Sequence, residues 1–319
     1  MTKKKRILIV DNMHESIQPL LLDAGYLPDY QPDINRTEIL KIISEYAGLI
    51  VRSKTTVDAE LIDQGQKLEF IARAGSGMDK VDAEYLEKKN ISAINAPEGN
   101  RDALGEHALG ILLSLMHKIG VADNQVKKGI WDRESNRGYE LKGKTVGIYG
   151  YGYMGSAFAE KLALLGCKII AYDKFKVNYA DDFVQEVNLE SFKEQTEILS
   201  LHLPLTSETE SLFNYENLSS YPQLKVLINT ARGQILKLSD AIRLMEEDKL
   251  FGLGLDVLEN EKLSSYSEDE KSIFQRLTQL PNVILTPHVG GWTFESYERI
   301  NKVIVEKITK SQQLHQEKL

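Results

Sequence analysis

The sequence predicts an α/β protein built from two parallel-sheet units in tandem. Three observations carry that expectation. Short apolar runs alternate with stretches of helical periodicity along most of the chain, the pattern of strand–helix–strand units. The length of 319 residues is about twice a typical domain of ~150 residues. The composition, 42% apolar and 27% charged, is that of an ordinary folded chain. In order, Ile7–Val10, Leu49–Val51, Phe70–Ala72 and Ile91–Ile94 read as buried strands. Ser16–Ala24, Glu38–Tyr46 and Ala59–Gln64 between them have helical spacing. A second series of strands follows at Thr145–Tyr149, Lys168–Ala171, Glu197–Leu201, Val226–Asn229, Gly252–Asp256 and Val283–Leu285, with helices clearest at Tyr153–Leu165 and Ser239–Lys249. The segment Asn100–Ile119 carries Leu104, Ala108, Ile111, Leu112, Leu115 and Ile119 at helical spacing and lies between the two series. A last helix is expected over Thr293–Ser311, followed by a frayed polar tail.

Composition also narrows function. The single cysteine, Cys167, rules out a disulfide within the chain and any metal site built from several thiolates; no metal is expected. A net charge of −8, from 39 basic and 47 acidic residues, argues against non-specific nucleic-acid binding, which rests on neutralising phosphates. Lys3, Lys4, Lys5 and Arg6 before Ile7–Val10 resemble the start of a signal peptide, but the apolar run stops at Asp11, short of the ~7–15 residues required. They read instead as a solvated lead-in to the first strand. No window approaches the ~20 apolar residues of a membrane span, and a cytoplasmic protein is expected.

The strongest motif lies in KTVGIYGYGYMGSAFAEKLALLGCKIIAYD, where Gly150, Gly152 and Gly155 form G-x-G-x-x-G. An apolar strand precedes it, an amphipathic helix and a second strand follow, and Asp173 closes the unit 18 positions beyond Gly155, close to the usual spacing of about 20. Gly150 permits the tight turn, Gly152 lets backbone approach a pyrophosphate, and Gly155 allows close helix–strand packing. The helix N-terminus offers free N–H groups to the phosphates. Asp173 is placed to accept from the ribose hydroxyls and to repel a 2′-phosphate, which favours NAD over NADP. Lys174 and Lys176 stand beside it and pull the other way.

Three further segments follow strand ends, where ligands collect in open α/β sheets. They are LINTARGQIL with Arg232, GLGLDVLENE with Asp256 and Glu261, and VILTPHVGGWT with His288. An arginine can hold a carboxylate and polarise a neighbouring carbonyl. A histidine can pass the alcohol proton, and a carboxylate beside it favours the imidazolium. With RAGSGMDKVD (73–82), NAPEGN (95–100) and the glycine fingerprint, these segments resemble the D-isomer-specific 2-hydroxyacid dehydrogenase family over nearly the whole chain.

The resemblance implies two Rossmann-like/flavodoxin-like parallel-sheet domains with a cleft between them: a substrate-binding domain of residues 1–100 plus 293–319, and an NAD-binding domain of residues 101–292. It implies a catalytic set of Arg232, Glu261 and His288. Dinucleotide contacts fall on Tyr153, Met154, Asp173, Leu203, Thr230, Ala231, Asp256 and Gly290 beside the three glycines, with Asp256 near the nicotinamide end. The N–H groups of Ser76 and Gly77 are expected to hold the substrate carboxylate. Lys262 stands where the family usually has a proline after the glutamate.

Arg52 after a strand, Arg73 in RAGSG, and Arg133 in WDR together most resemble the D-3-phosphoglycerate dehydrogenase branch, and such a cluster suits a phosphate dianion. The expected reaction is therefore D-3-phosphoglycerate to 3-phosphohydroxypyruvate with NAD, the first step of serine biosynthesis. Alternatives are a glyoxylate/hydroxypyruvate or D-lactate-type 2-ketoacid reductase, and an NAD(H)-sensing co-repressor-like binding protein. The end of the sequence shortly after the last helix suggests a short form without a C-terminal regulatory domain. A homodimer through Asn100–Gly138 is expected, with Arg133 reaching the neighbouring subunit. His107 reads as a packed or bridging histidine, His202 as lining the cofactor side without chemistry, Cys167 as buried and inert, and Trp131 and Trp292 as packing residues.

Overall fold

A computed structural model describes residues 4–316. The chain divides into two compact units: one runs to Arg101 and takes in the stretch from Trp292 onward, and the other is Asp102–Gly291. In the first, β1 (Arg6–Ile9), β2 (Leu27–Tyr30), β3 (Gly48–Val51), β4 (Phe70–Arg73) and β5 (Ser92–Asn95) form a sheet in the order β2-β1-β3-β4-β5. Every pairing is parallel. Helices α1 (Ile17–Asp23), α2 (Arg36–Ile42), α3 (Ala59–Gln64) and α4 (Ala83–Lys88) connect the strands. The unit boundary falls inside α5 (Pro97–Met116), which is followed by α6 (Ile119–Lys127).

The second unit contains β6 (Thr145–Tyr149), β7 (Lys168–Tyr172), β8 (Val184–Glu186), β9 (Ile198–Leu201), β10 (Val226–Asn229), β11 (Gly252–Leu255) and β12 (Val283–Leu285). They form one parallel sheet in the order β12-β11-β10-β9-β6-β7-β8. Its helices are α7 (Tyr153–Leu162), α8 (Leu189–Gln195), α9 (Tyr215–Ser219), α10 (Leu238–Glu246) and α11 (Glu268–Gln279). Helix α12 (Phe294–Gln316) returns to the first unit.

Central strands are buried on both faces, so alternate residues feed two cores. In the first unit Ile7, Ile9, Ile50 and Phe70 pack with Ile300, Ile304 and Ile308 of α12. Leu8, Val10, Leu49 and Ile71 pack on the opposite face with Ile39 and Leu61. In the second unit Ile111, Leu112 and Leu115 of α5 cover Val146, Ile148 and Ile228.

Several sequence-based boundaries move. Pro97 of NAPEGN is the first residue of α5, a position where its missing N–H costs nothing. The helix read as running to Ile119 breaks at Lys118, whose φ of +52° is left-handed. Helix α12 continues to Gln316 instead of fraying after Ser311. Strands β2 and β8 were not anticipated: both are edge strands, and β2 contains Pro28 and has no fully buried residue, so neither shows an apolar run. Lys5 and Arg6 are not merely a solvated lead-in. Arg6 opens β1 and binds Asp29 at 2.9 Å and Glu45 at 2.7 Å, and Lys5 binds Glu69 at 2.5 Å; Lys3 lies outside the described residues. Trp131 is 81% exposed, not packed.

Because Ile304 is fully buried against the sheet, Ile304→Ala is expected to cost about 2–5 kcal/mol. Urea unfolding followed by Trp292 fluorescence in a Trp131→Phe background measures it. A loss under about 1 kcal/mol would mean that α12 does not complete this core.

Candidate active site

Strand β6 ends at the glycine elbow. Gly150 has a φ of +93°, open to a residue without Cβ, and its N–H donates to the Tyr172 carbonyl at 2.8 Å. A Cβ on Gly155 would overlap the Gly150 carbonyl oxygen, whereas one on Gly152 would meet nothing within 4 Å. Helix α7 begins here with no capping side chain and no acidic residue in its first turn, so its N–H groups and positive dipole end remain for an anion. Strands β9 and β7 flank β6 on opposite sides, which makes this the switch point of the sheet.

The Asp173 carboxylate is held in place by three backbone donors: Tyr151 N–H at 2.9 Å, Phe175 N–H at 2.9 Å and Lys176 N–H at 3.0 Å. Both lysines beside it have partners of their own. Lys174 binds Glu208 at 2.6 Å, and the Lys176 ammonium donates to the Tyr151 carbonyl at 2.9 Å. Tyr153 is exposed and Met154 half-buried in the first turn of α7, Leu203 is half-buried just beyond β9, and Ala231 is buried. The Thr230 hydroxyl is buried without a hydrogen-bond partner among the described residues. An uncapped helix end, an open glycine, a fixed carboxylate and an orphan hydroxyl fit a dinucleotide. His202 is half-buried beside the elbow with its Nε2 2.9 Å from the Ser200 hydroxyl, and desolvation drives its pKa down to about 3, which keeps it neutral near neutral pH.

The remaining machinery stands at the ends of β10, β11 and β12. The Asn229 side chain ties the β10 turn: its amide donates to the Arg232 carbonyl at 2.9 Å and its oxygen accepts from Ala231 N–H at 3.0 Å. The Arg232 guanidinium donates to the Ala231 carbonyl at 2.6 Å. Gly233 lets the next loop come close, since a Cβ there would overlap the Leu258 carbonyl. Gln234 donates to the Glu259 carbonyl at 2.9 Å. The loop carrying Glu261 is thereby fastened to the turn carrying Arg232, despite Lys262 in place of the family's proline.

Glu261 and His288 meet directly. The Nδ1 of His288 lies 2.9 Å and 3.0 Å from the two Glu261 oxygens, which leaves Nε2 for a ligand. The hydrogen bond to Glu261 raises the His288 pKa above its ordinary value against the opposing effect of burial, and nearby Arg232 offsets part of the rise. Both side chains are half-exposed, so the pair contributes little to folding. His288 has a φ of +55°, a strained backbone worth of order 1–3 kcal/mol.

Asp256 holds that strained loop. Its backbone carbonyl accepts from His288 N–H at 2.8 Å. Its carboxylate accepts from the Thr286 hydroxyl at 2.6 Å, Val289 N–H at 2.9 Å and Gly290 N–H at 2.8 Å. His107 of α5 lies 3.3 Å from the same carboxylate and 3.0 Å from the Thr286 hydroxyl. Burial pushes the Asp256 pKa up, but the hydrogen bonds from His107, Thr286, Val289 and Gly290 outweigh it and lower the pKa overall. Asp256 and Gly290, expected at the cofactor, are thus bonded to one another within the loop. His107 is the bridging histidine anticipated from the sequence, whereas the Asn229 and Thr286 braces carried no separate signal.

Of the residues expected at the substrate, Arg52, Arg73, Ser76 and Gly77 belong to the first unit. Arg73 donates to the Arg52 carbonyl at 3.2 Å. The Ser76 carbonyl accepts from the Asn95 amide at 2.7 Å, and Ser76 and Gly77 are half-buried. Arg133, in the second unit, is exposed in the loop after α6. Cys167 is a free, half-buried thiol whose pKa is raised by burial.

The model for the NAD binding domain of D-isomer specific 2-hydroxyacid dehydrogenases matches residues 109–290. The chain belongs to this dehydrogenase family. It is 34% identical over 305 residues to the hydroxypyruvate reductase of Thermotoga maritima, covering 96% of this chain and 97% of that protein. It is 30% identical over 305 residues to the D-3-phosphoglycerate dehydrogenase of Archaeoglobus fulgidus, covering 95% of this chain and 56% of that protein. The chain spans about half the length of the phosphoglycerate dehydrogenases it matches. The crystal structure of the TT0316 protein from Thermus thermophilus has a TM-score of 0.80 at 27% identity and covers 97% of each chain. The second unit is therefore an NAD-binding domain of the 2-hydroxyacid dehydrogenase type.

Two outcomes are expected in this domain. If Asp173 binds the ribose, Asp173→Ala is expected to raise the KM for NADH about tenfold while changing that for NADPH less; equal changes would show that Asp173 does not discriminate. Glu261→Gln is expected to bring the His288 pKa down towards about 6.5 in an NMR titration. The sign follows from the raised folded value: the pair's contribution to stability is present below the unfolded pKa and fades as pH rises through the folded one. An unchanged titration would break the assignment of Glu261.

Proposed function

We propose that this dehydrogenase transfers hydride between NAD and C2 of a D-2-hydroxy acid, with D-3-phosphoglycerate/3-phosphohydroxypyruvate as the substrate pair. The observation that carries the reading is the His288–Glu261 pair at 2.9 Å, next to Arg232 and in the same unit as the glycine elbow. The nicotinamide supplies the redox chemistry, accepting a hydride from C2 or returning it. In oxidation, neutral His288 takes the hydroxyl proton on Nε2 while Glu261 stabilises the imidazolium that forms. In reduction, protonated His288 donates to the C2 oxygen, and its raised pKa keeps it charged further towards neutral pH. Arg232 binds the carboxylate and the C2 oxygen and stabilises charge as the carbonyl polarises.

The Ser76 and Gly77 N–H groups are assigned to the substrate carboxylate, and Arg52 and Arg73 to the phosphate. Arg133 is assigned to the neighbouring subunit's substrate in a homodimer. The same reading places the enzyme in the cytoplasm at the entry to serine biosynthesis. The full-length match to a protein named hydroxypyruvate reductase favours a second reading, in which the acid is unphosphorylated.

Initial rates with NADH and 3-phosphohydroxypyruvate, hydroxypyruvate, glyoxylate and pyruvate separate the two; a higher kcat/KM for hydroxypyruvate would remove the phosphoglycerate assignment. His288→Ala is expected to lower kcat by at least about 100-fold with NADH binding preserved by fluorescence titration. Near-normal turnover in that variant would take His288 out of the mechanism.

A further inference from the structure

The first unit has a switch point of its own. In the order β2-β1-β3-β4-β5, the loops leaving β1 and β3 diverge at the carboxyl edge of the sheet, where such sheets take ligands. Asp11 follows β1 and Arg52 follows β3. The buried Asp11 carboxylate is spent on backbone: it accepts from Arg52 N–H at 2.6 Å and Lys54 N–H at 3.2 Å. Among the described residues no carboxylate forms an ion pair with the Arg52 guanidinium.

Aromatic rings hold that guanidinium instead. Its central carbon lies 3.8 Å from the centroid of Trp292 and 5.2 Å from that of Tyr297. The two rings are themselves 4.8 Å apart. Tyr297 is anchored in turn by edge contact with His14 at 5.8 Å. The fully buried Asn301 fixes that loop, donating to the His14 carbonyl at 3.0 Å and the Ser16 hydroxyl at 3.1 Å. A guanidinium stacked on a ring by its face keeps its in-plane N–H donors for another partner. Burial pulls the Arg52 pKa below the ordinary arginine value, with Tyr297 and Asp11 acting in the opposite direction. The site is a partly desolvated cation, fixed in place, hydrogen-bonded to Tyr297 and near the Asp11 charge but with no carboxylate in ion-pair contact.

We propose that Trp292 is a positioning residue which, with Tyr297, presets Arg52, the arginine assigned above to the substrate's phosphate, as an anion fork. The proposal rests on the dehydrogenase reading and the phosphate assignment above, and adds the residue that holds the Arg52 cation in place. A dianionic group gives the fork a direct ion-pair partner, whereas a neutral tail leaves the half-desolvated cation with no anion in contact. Lysine in place of Arg52 would lose both the stacking and the bidentate geometry.

Trp292→Ala is expected to raise the KM for 3-phosphohydroxypyruvate roughly tenfold, leaving kcat and the KM for hydroxypyruvate within about twofold. Trp292→Phe, which keeps a ring, is expected to recover most of the loss. Equal losses with both substrates, or a phenylalanine variant as poor as the alanine one, would overturn the proposal. The chain has two tryptophans, so Trp131→Phe leaves Trp292 as the sole indole reporter. Inorganic phosphate is expected to change its emission saturably, and Arg52→Met to abolish that change; no response in the parent would also overturn the proposal. Failure to reduce any 2-oxo acid with the phosphate response intact would instead sink the dehydrogenase reading and leave the fork standing.

Discussion

Burying a carboxylate is unfavourable unless its oxygens are filled, and Asp256 shows what such burial can hold in place. It is 2% exposed, yet it gathers Thr286, Val289, Gly290 and His107 around one group. Those bonds fix the loop after β12 in a shape that forces His288 into a left-handed backbone conformation. Without them the strain at His288 would relax, and its imidazole would have no reason to stay against Glu261. The His288–Glu261 pair is half-exposed and weak as a stabilising contact, so its geometry is imposed from below by the buried Asp256 network.

Both units express the same topological rule with different chemistry. In the second, the switch point between β6 and β9 presents backbone: a glycine elbow and a bare helix end, suited to a diphosphate. In the first, the switch point between β1 and β3 presents a side chain, Arg52, stacked on Trp292 and Tyr297. Parallel strands place every carboxyl end on one edge of each sheet, so residues far apart in sequence arrive together. Asn229, Asp256 and Thr286 are neighbours because β10, β11 and β12 are adjacent and in register.

Much of this was legible in the chain. Central strands are apolar on both faces and announce themselves as short β-branched runs. The elbow is legible because Gly150 and Gly155 answer to local backbone and packing demands. Edge strands were invisible for the converse reason: β2 and β8 have one neighbour each, and their residues need not be apolar. The break at Lys118 escaped because the apolar periodicity runs past it from α5 towards α6.

Local spacing and residue chemistry were enough to indicate the two α/β series and the dinucleotide motif and to single out Arg232, Asp256, Glu261 and His288, from which the family resemblance chose Arg232, Glu261 and His288. Other features became visible only once the chain was folded: Asp256 braces the histidine loop, Lys174 and Lys176 bind Glu208 and the Tyr151 carbonyl, and Trp292 lies on Arg52. Each of those depends on contacts between segments tens to hundreds of residues apart, whose distances no local pattern encodes.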